Sequence, residues 1–128
     1  MILNVAVSVG ELLDKISILR VKIRKVKNAH KLKFIQEELE LLTNTAEQAS
    51  VLDEDLIAEL ESVNEALWII EDDIRVKERD KSFGDDFIEL ARAVYITNDM
   101  RFEIKNKINE KYNSGIREQK DYVEYQND

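Results

Sequence analysis

Apolar residues recur at alternating spacings of three and four through four successive stretches of the chain, and this repeat constrains the fold more than any other feature. The first row is Val9, Leu12, Ile16, Leu19, Ile23 and Val26; the second is Leu32, Ile35, Leu39, Leu42, Ala46 and Ala49. The third is Leu56, Leu60, Val63, Leu67, Ile70 and Ile74, and the fourth is Phe87, Leu90, Val94, Thr97, Arg101, Ile104 and Ile108. Such spacing keeps side chains on one face of a helix and gives packed helices coiled-coil-like heptad seams. The chain has no proline and only three glycines in 128 residues. A sheet-rich fold would need many more turn residues than that. The expectation is one all-α domain over residues 1–128, either a four-helix antiparallel bundle or a pair of helical hairpins. Helices 3 and 4 should form the longest hairpin.

Local signals set the helix limits at about 9–27, 29–49, 53–80 and 85–113. Ser8-Val9-Gly10-Glu11 has the pattern of a capping box, in which Ser8 accepts from the Glu11 N–H and the Glu11 carboxylate reaches back. Asn28 and Asp53 are suited to cap helices 2 and 3. Lys81 to Gly84 marks the third turn, and Asn113-Ser114-Gly115 ends helix 4. Ile2 to Val7 alternates weakly and suits a lone strand or an extended arm, which a second copy could pair. Residues 116–128 have no clear period but carry Tyr122, Val123 and Tyr125, enough to dock. A long thin hairpin leaves part of its seam uncovered, so a two-fold homodimer is expected.

The net charge of −8 is unevenly spread. Residues 15–36 carry eight Lys or Arg and no acid, whereas residues 37–73 carry thirteen Asp or Glu and no base. The acidic stretch would repel phosphate, which argues against nucleic acid as a partner. The basic and acidic stretches are expected to face each other, within one bundle or across a dimer; alternatively, the basic stretch docks an anionic partner. Cysteine is absent, which excludes disulfides and thiolate sites. The apolar Met1–Val9 segment is too short to span a membrane or serve as a signal peptide, so the cytoplasm is the expected location.

No phosphate loop, zinc-binding helix motif or nucleophile elbow is present. His30, the single histidine, has no neighbour with which to form a dyad and reads as exposed. The unusual feature is polarity inside the fourth seam, at Thr97 and Arg101 with Asn98 beside them. Antiparallel pairing about a turn near residues 82–83 places Asn98 and Arg101 opposite Asn64, Glu65 and Trp68. Asn64, Trp68, Glu71, Arg75 and Glu78 form a second row on helix 3. A buried arginine needs a carboxylate partner, because its desolvation is otherwise costly. This set is expected to be a satisfied layer that fixes register. The alternative is a pocket for a small anionic ligand, with Arg101 as anchor and Trp68 or Tyr95 as a stacking wall. A metal site on Glu71, Asp72, Asp73, Glu89 and Asp99, serving Mg²⁺-dependent phosphate hydrolysis, is weaker. Consecutive acids on a helix diverge, and Glu71–Arg75 and Asp73–Lys77 have the spacing of surface pairs. No metal or other cofactor is expected.

Three blocks carry a resemblance. Val7-Ser8-Val9-Gly10-Glu11-Leu12-Leu13-Asp14-Lys15-Ile16-Ser17-Ile18-Leu19 resembles the opening of a family of small bacterial and phage proteins known only as a domain of unknown function. Val63 to Trp68 with Ile70 to Arg75 resembles its central block, and Phe87 to Tyr95 with Asn98, Asp99 and Arg101 its third. The resemblance implies an all-helical fold and brings no catalytic residues. Its blocks contain Asn64, Glu65, Trp68, Glu71, Arg75, Glu89, Arg92, Asn98 and Arg101; with Tyr95 these make up the candidate site. The reading favoured by the sequence is a non-enzymatic, homodimeric interaction module. Its rivals are a ligand-binding protein or enzyme acting on an anionic metabolite, and the Mg²⁺-dependent hydrolase.

Overall fold

The computed structural model describes residues 1–126, and it is all-α. The four helices are α1 (Val9–Lys25), α2 (Ala29–Gln48), α3 (Glu54–Arg79) and α4 (Asp85–Lys111). Each begins within about a residue of its expected start because the capping signals are local. The Ser8 hydroxyl accepts from the Glu11 N–H at 3.0 Å, Asn28 accepts from the Lys31 N–H at 3.0 Å, and Asp53 from the Leu56 N–H at 3.2 Å. The returning half of the capping box is replaced: the Glu11 carboxylate accepts from Lys105 of α4 instead, at 2.8 Å.

Helices α2, α3 and α4 end alike, each followed by a residue in the left-handed region: Ser50 (φ 58°), Lys81 (φ 54°) and Asn113 (φ 48°). The next amide then reaches back to close the helix, Val51 to the Ala46 carbonyl, Ser82 to that of Lys77 and Ser114 to that of Asn109. This arrangement normally uses glycine. The chain makes it three times without one, so scarce glycine did not prevent sharp helix ends.

Helix α1 is the hub. Helices α3 and α4 form the most extensively packed pair, and α1 packs against α2, α3 and α4, whereas α2 packs on α1 alone. The nested pairs Asp53–Lys111, Glu59–Lys107 and Lys77–Asp86 show α3 and α4 to be antiparallel. The core gathers Leu12, Leu13 and Ile16 of α1, Ala46 of α2, Leu56, Ile57 and Leu60 of α3, and Ile108 of α4. Each fully buried leucine or isoleucine contributes roughly 1.5–3 kcal/mol.

Length decides where this core lies. The 17 residues of α1 span about 25 Å, whereas the 26 of α3 span about 39 Å. The described buried residues of α4 accordingly lie near its C-terminal end, at Lys105, Ile108 and Asn109. Beyond α1 the α3–α4 hairpin has no other helix packed on it. Ile69, Val76, Phe83 and Ile88 stay exposed there.

Part of the segregated charge meets within the chain. Arg20 pairs with Glu54 at 2.7 Å and Glu61 at 3.3 Å, Arg24 with Glu61 at 3.3 Å, and Lys25 with Glu65 at 3.2 Å. Such partly exposed pairs contribute no more than about 1 kcal/mol each, so their effect is on how α1 seats against α3. The Glu71–Arg75 pair forms at 2.6 Å, but Asp73–Lys77 does not: Lys77 turns across the hairpin to Asp86. His30 is exposed and stacks edge-on against Phe34.

The two ends differ. Residues 1–7 run without helix or strand, with Ile2, Leu3 and Val5 about three-quarters exposed. The segment after α4 is tied down: Glu118 pairs with Lys105, Lys120 with Asp99, and the Tyr125 hydroxyl donates to Asp99 at 2.6 Å. Residues 127 and 128 lie outside the described residues.

Candidate functional site

Asp14 is the centre of the polar layer. On α1, Gly10, Asp14, Ser17 and Val21 repeat at spacings of four, three and four, a second row beside the apolar one. A helix wrapped by three others buries both rows, and Asp14 and Ser17 are 0% exposed. A carboxylate so placed must be fully hydrogen-bonded. Asn64 of α3 donates to Asp14 Oδ1 at 2.9 Å and, through the same amide nitrogen, to Ser17 Oγ at 2.8 Å. Arg101 of α4 donates Nε to Oδ1 at 3.0 Å and to Oδ2 at 3.1 Å, and its Nη2 also bonds Oδ2. Three helices are thus joined through one carboxylate.

Lys105 lies one turn further along α4, only 8% of its side chain exposed, with Glu11 at 2.8 Å, Glu118 at 2.7 Å and Asp14 at 3.9 Å. Burial opposes its charge, but Glu11, Glu118 and Asp14 outweigh burial and lift the ammonium above the usual lysine range. The hydrogen bonds to Asp14 likewise raise the Arg101 guanidinium, against the pull of its own burial. Both groups are cations at any physiological pH. The adjoining start of α1 is closed off as well: the Gly10 amide donates to Asn109 Oδ1 at 2.7 Å and the Val9 amide to Ser114 Oγ at 3.1 Å. No buried side-chain nitrogen or oxygen among the described residues lacks a partner.

The sequence correctly demanded a carboxylate for Arg101 but looked for it on α3. Glu65 does not face Arg101; it turns to Lys25 and Arg24 on α1. The carboxylate is Asp14, which lay off the single apolar row followed along α1. The Gly10–Asp14–Ser17–Val21 row was the available signal, since a second seam marks a helix with more than one neighbour.

Two open clefts flank Arg101 and Asn98. The first, about 460 Å³, brings together Asn64, Trp68, Glu71, Arg75, Asn98 and Arg101 of the candidate set, with Asp72. The second, about 560 Å³, lies between α4 and the tail and includes Tyr95 and Lys105. Tyr95 stacks edge-on against Tyr125 of the tail at 5.2 Å. Glu89 and Arg92 are exposed on α4 and line neither cleft. The acids considered for a metal do not converge. Glu71 is paired to Arg75, and Asp99 to Lys120 and Tyr125. Among the described residues no group of three histidines or acids could hold an ion.

A family profile described as a family of unknown function, DUF6165, matches residues 3–126, nearly the whole chain. The chain belongs to this family. The DUF6165 match spans all three sequence blocks and every residue of the Asp14 layer. Neither a curated protein nor a solved structure matches this DUF6165 chain. No helix of the described residues is long and apolar enough to cross a membrane.

Proposed function

We infer that this DUF6165 protein acts by association, as a homodimeric helical assembly module. One observation carries this: the single chain exposes far more surface than a compact protein of its mass. A compact 15.0 kDa monomer exposes roughly 7,000 Å². This chain exposes 9062 Å², an excess of about 2,000 Å², against roughly 800 Å² covered per partner in a standard interface. Large apolar side chains are among the exposed residues. Ile2, Leu3, Val5 and Val7 stand out along the N-terminal arm, Phe34 and Leu41 on α2, and Ile69, Val76 and Ile88 on the far part of the α3–α4 hairpin. Exposed apolar residues in such numbers favour an interaction surface. The Asp14 layer fits the same reading, since paired polar groups in a helical core fix which helices meet and in what register.

A second copy is the partner argued for, because an isologous dimer covers the same surplus on both chains at once. Sedimentation equilibrium on the full chain, beside a Leu3→Asp/Val5→Asp variant, tests this. The unmodified chain should be dimeric and the variant shifted to monomer with its helix content intact. A chain that stays monomeric up to about 100 µM, where even a micromolar dimer would form, refutes the proposal.

A further inference from the structure

The Asp14 layer uses one edge of Arg101 and leaves the other toward the clefts that Arg101 and Asn98 line. Nε and Nη2 are held by Asp14, while Nη1 has only the Asn98 carbonyl oxygen at 3.5 Å, the outer limit of a hydrogen bond. The side chain is 28% exposed. A guanidinium fixed from behind by a buried carboxylate, with its front open, is prepared for an anion at little cost in ordering.

Asn64 supplies the second feature. It is 7% exposed, and its amide nitrogen is committed to Asp14 and Ser17. Its carbonyl oxygen has no donor among the described residues, yet no buried polar atom there is left unpaired. That oxygen therefore reaches the cleft, which Asn64 lines. Asn64 Nδ2 and Arg101 Nε both bond Asp14 Oδ1 and so lie within about 6 Å of each other, which puts the Asn64 oxygen and Arg101 Nη1 within about 10 Å.

The rest of the lining narrows the ligand. Trp68, Leu67, Val21 and Ile18 form an apolar wall, and Asp72 adds an exposed carboxylate in no ion pair among the described residues. Glu71 is already neutralised by Arg75. A multiply charged anion such as phosphate would meet the Asp72 carboxylate as well as Arg101. A plain carboxylate would leave Asn64 and Asp72 unanswered. A zwitterion answers the charges of both Arg101 and Asp72.

We propose that this cleft binds a free α-amino acid with an apolar side chain. Its carboxylate lies on the open edge of Arg101, its ammonium faces the Asp72 carboxylate, and its side chain packs on Trp68 and Leu67. The volume of about 460 Å³ suits a ligand of that size. The site is independent of self-association, since its groups come from one chain.

Trp68 is the single tryptophan, so its fluorescence reports on the cleft directly. The full chain is titrated with L-leucine and L-phenylalanine, then with leucinamide, 4-methylpentanoate and inorganic phosphate, at two protein concentrations. The expected result is a saturable change with the amino acids. Binding should weaken about tenfold or more when either charged group of the ligand is removed, and by a similar factor in Asp72→Asn, a surface change that leaves the Asp14 layer whole. An absent response overturns the proposal. So does equal binding of 4-methylpentanoate or preferential binding of phosphate, which would make the cleft a simple anion site. A midpoint that follows protein concentration would assign the signal to association and overturn it too.

Discussion

Replacing Arg101 with methionine separates a structural latch from a surface arginine. The substitution keeps most of the aliphatic volume and removes the donors that hold Asp14, which is 0% exposed. Removing one partner of a fully buried pair costs about 3–5 kcal/mol, because the other charge is stranded. Here the arginine is 28% exposed and Asp14 retains Asn64 at 2.9 Å and Lys105 at 3.9 Å, which reduces the expected loss to about 2–3 kcal/mol. At about 2.1 cal/mol/K of unfolding entropy per residue, a chain of 128 residues has a slope of roughly 0.27 kcal/mol/K. The melting temperature should therefore fall by about 7–11 °C. Calorimetry or thermal circular dichroism reads this directly. The double variant Asp14→Leu/Arg101→Met should lose less than the two single variants combined, with a coupling of at least about 1.5 kcal/mol. Arg101→Met within about 0.5 kcal/mol of the unmodified chain, or additive losses in the cycle, would refute the latch.

Two other outcomes follow from named contacts. A Cβ on Gly10 would meet the Lys105 carbonyl oxygen at 2.6 Å and Asn109 Oδ1 at 2.9 Å, and one of these is backbone. Gly10→Ala should therefore push α1 off α4 and destabilise by about 1–3 kcal/mol despite alanine's better helix propensity, a result that urea titration would show. Hydrogen bonds from Lys111 and Tyr112 hold the Asp53 carboxyl down at about 2, below its ordinary 3.8. Its folded pKa lies below the unfolded one, so its contribution is present above about pH 4 and is lost as pH falls toward 2. Asp53→Asn keeps the N-cap, and its melting temperature should fall less steeply than that of the unmodified chain between pH 4 and pH 2.

What the sequence disclosed and what it hid divide along range. Helix limits depend on neighbours three or four residues away, so Ser8, Asn28 and Asp53 announced α1, α2 and α3 within a residue or so. The all-α class and the dominance of the α3–α4 hairpin followed from the same periodicity. The partner of Arg101 was not local. Its chemistry could be named, a carboxylate, but its position depended on α1 being enclosed on several sides, and one row of apolar residues cannot express that. Glu65 was the natural choice by hairpin register, yet α1 lies between the expectation and the fact and draws Glu65 to Lys25. The candidate set divides for the same reason. Residues of α3 and α4 near the level of α1 converge on a cleft, while Glu89 and Arg92, beyond it, stay in solvent.

Asp14 and Arg101 are separated by 87 residues. At a synthesis rate of about 5–20 residues per second, α1 waits on the order of 4–17 seconds for the arginine that will neutralise it. During that interval α1 can pack with α2 and then α3, but the Asp14 carboxylate has only Asn64 and no cation to answer it. A charged residue in that face keeps it hydrated until the rest of the chain arrives, whereas a leucine there would leave a continuous apolar strip open to any neighbour. The buried carboxylate thus acts on timing: it delays commitment of the first helix until its last partner has been made.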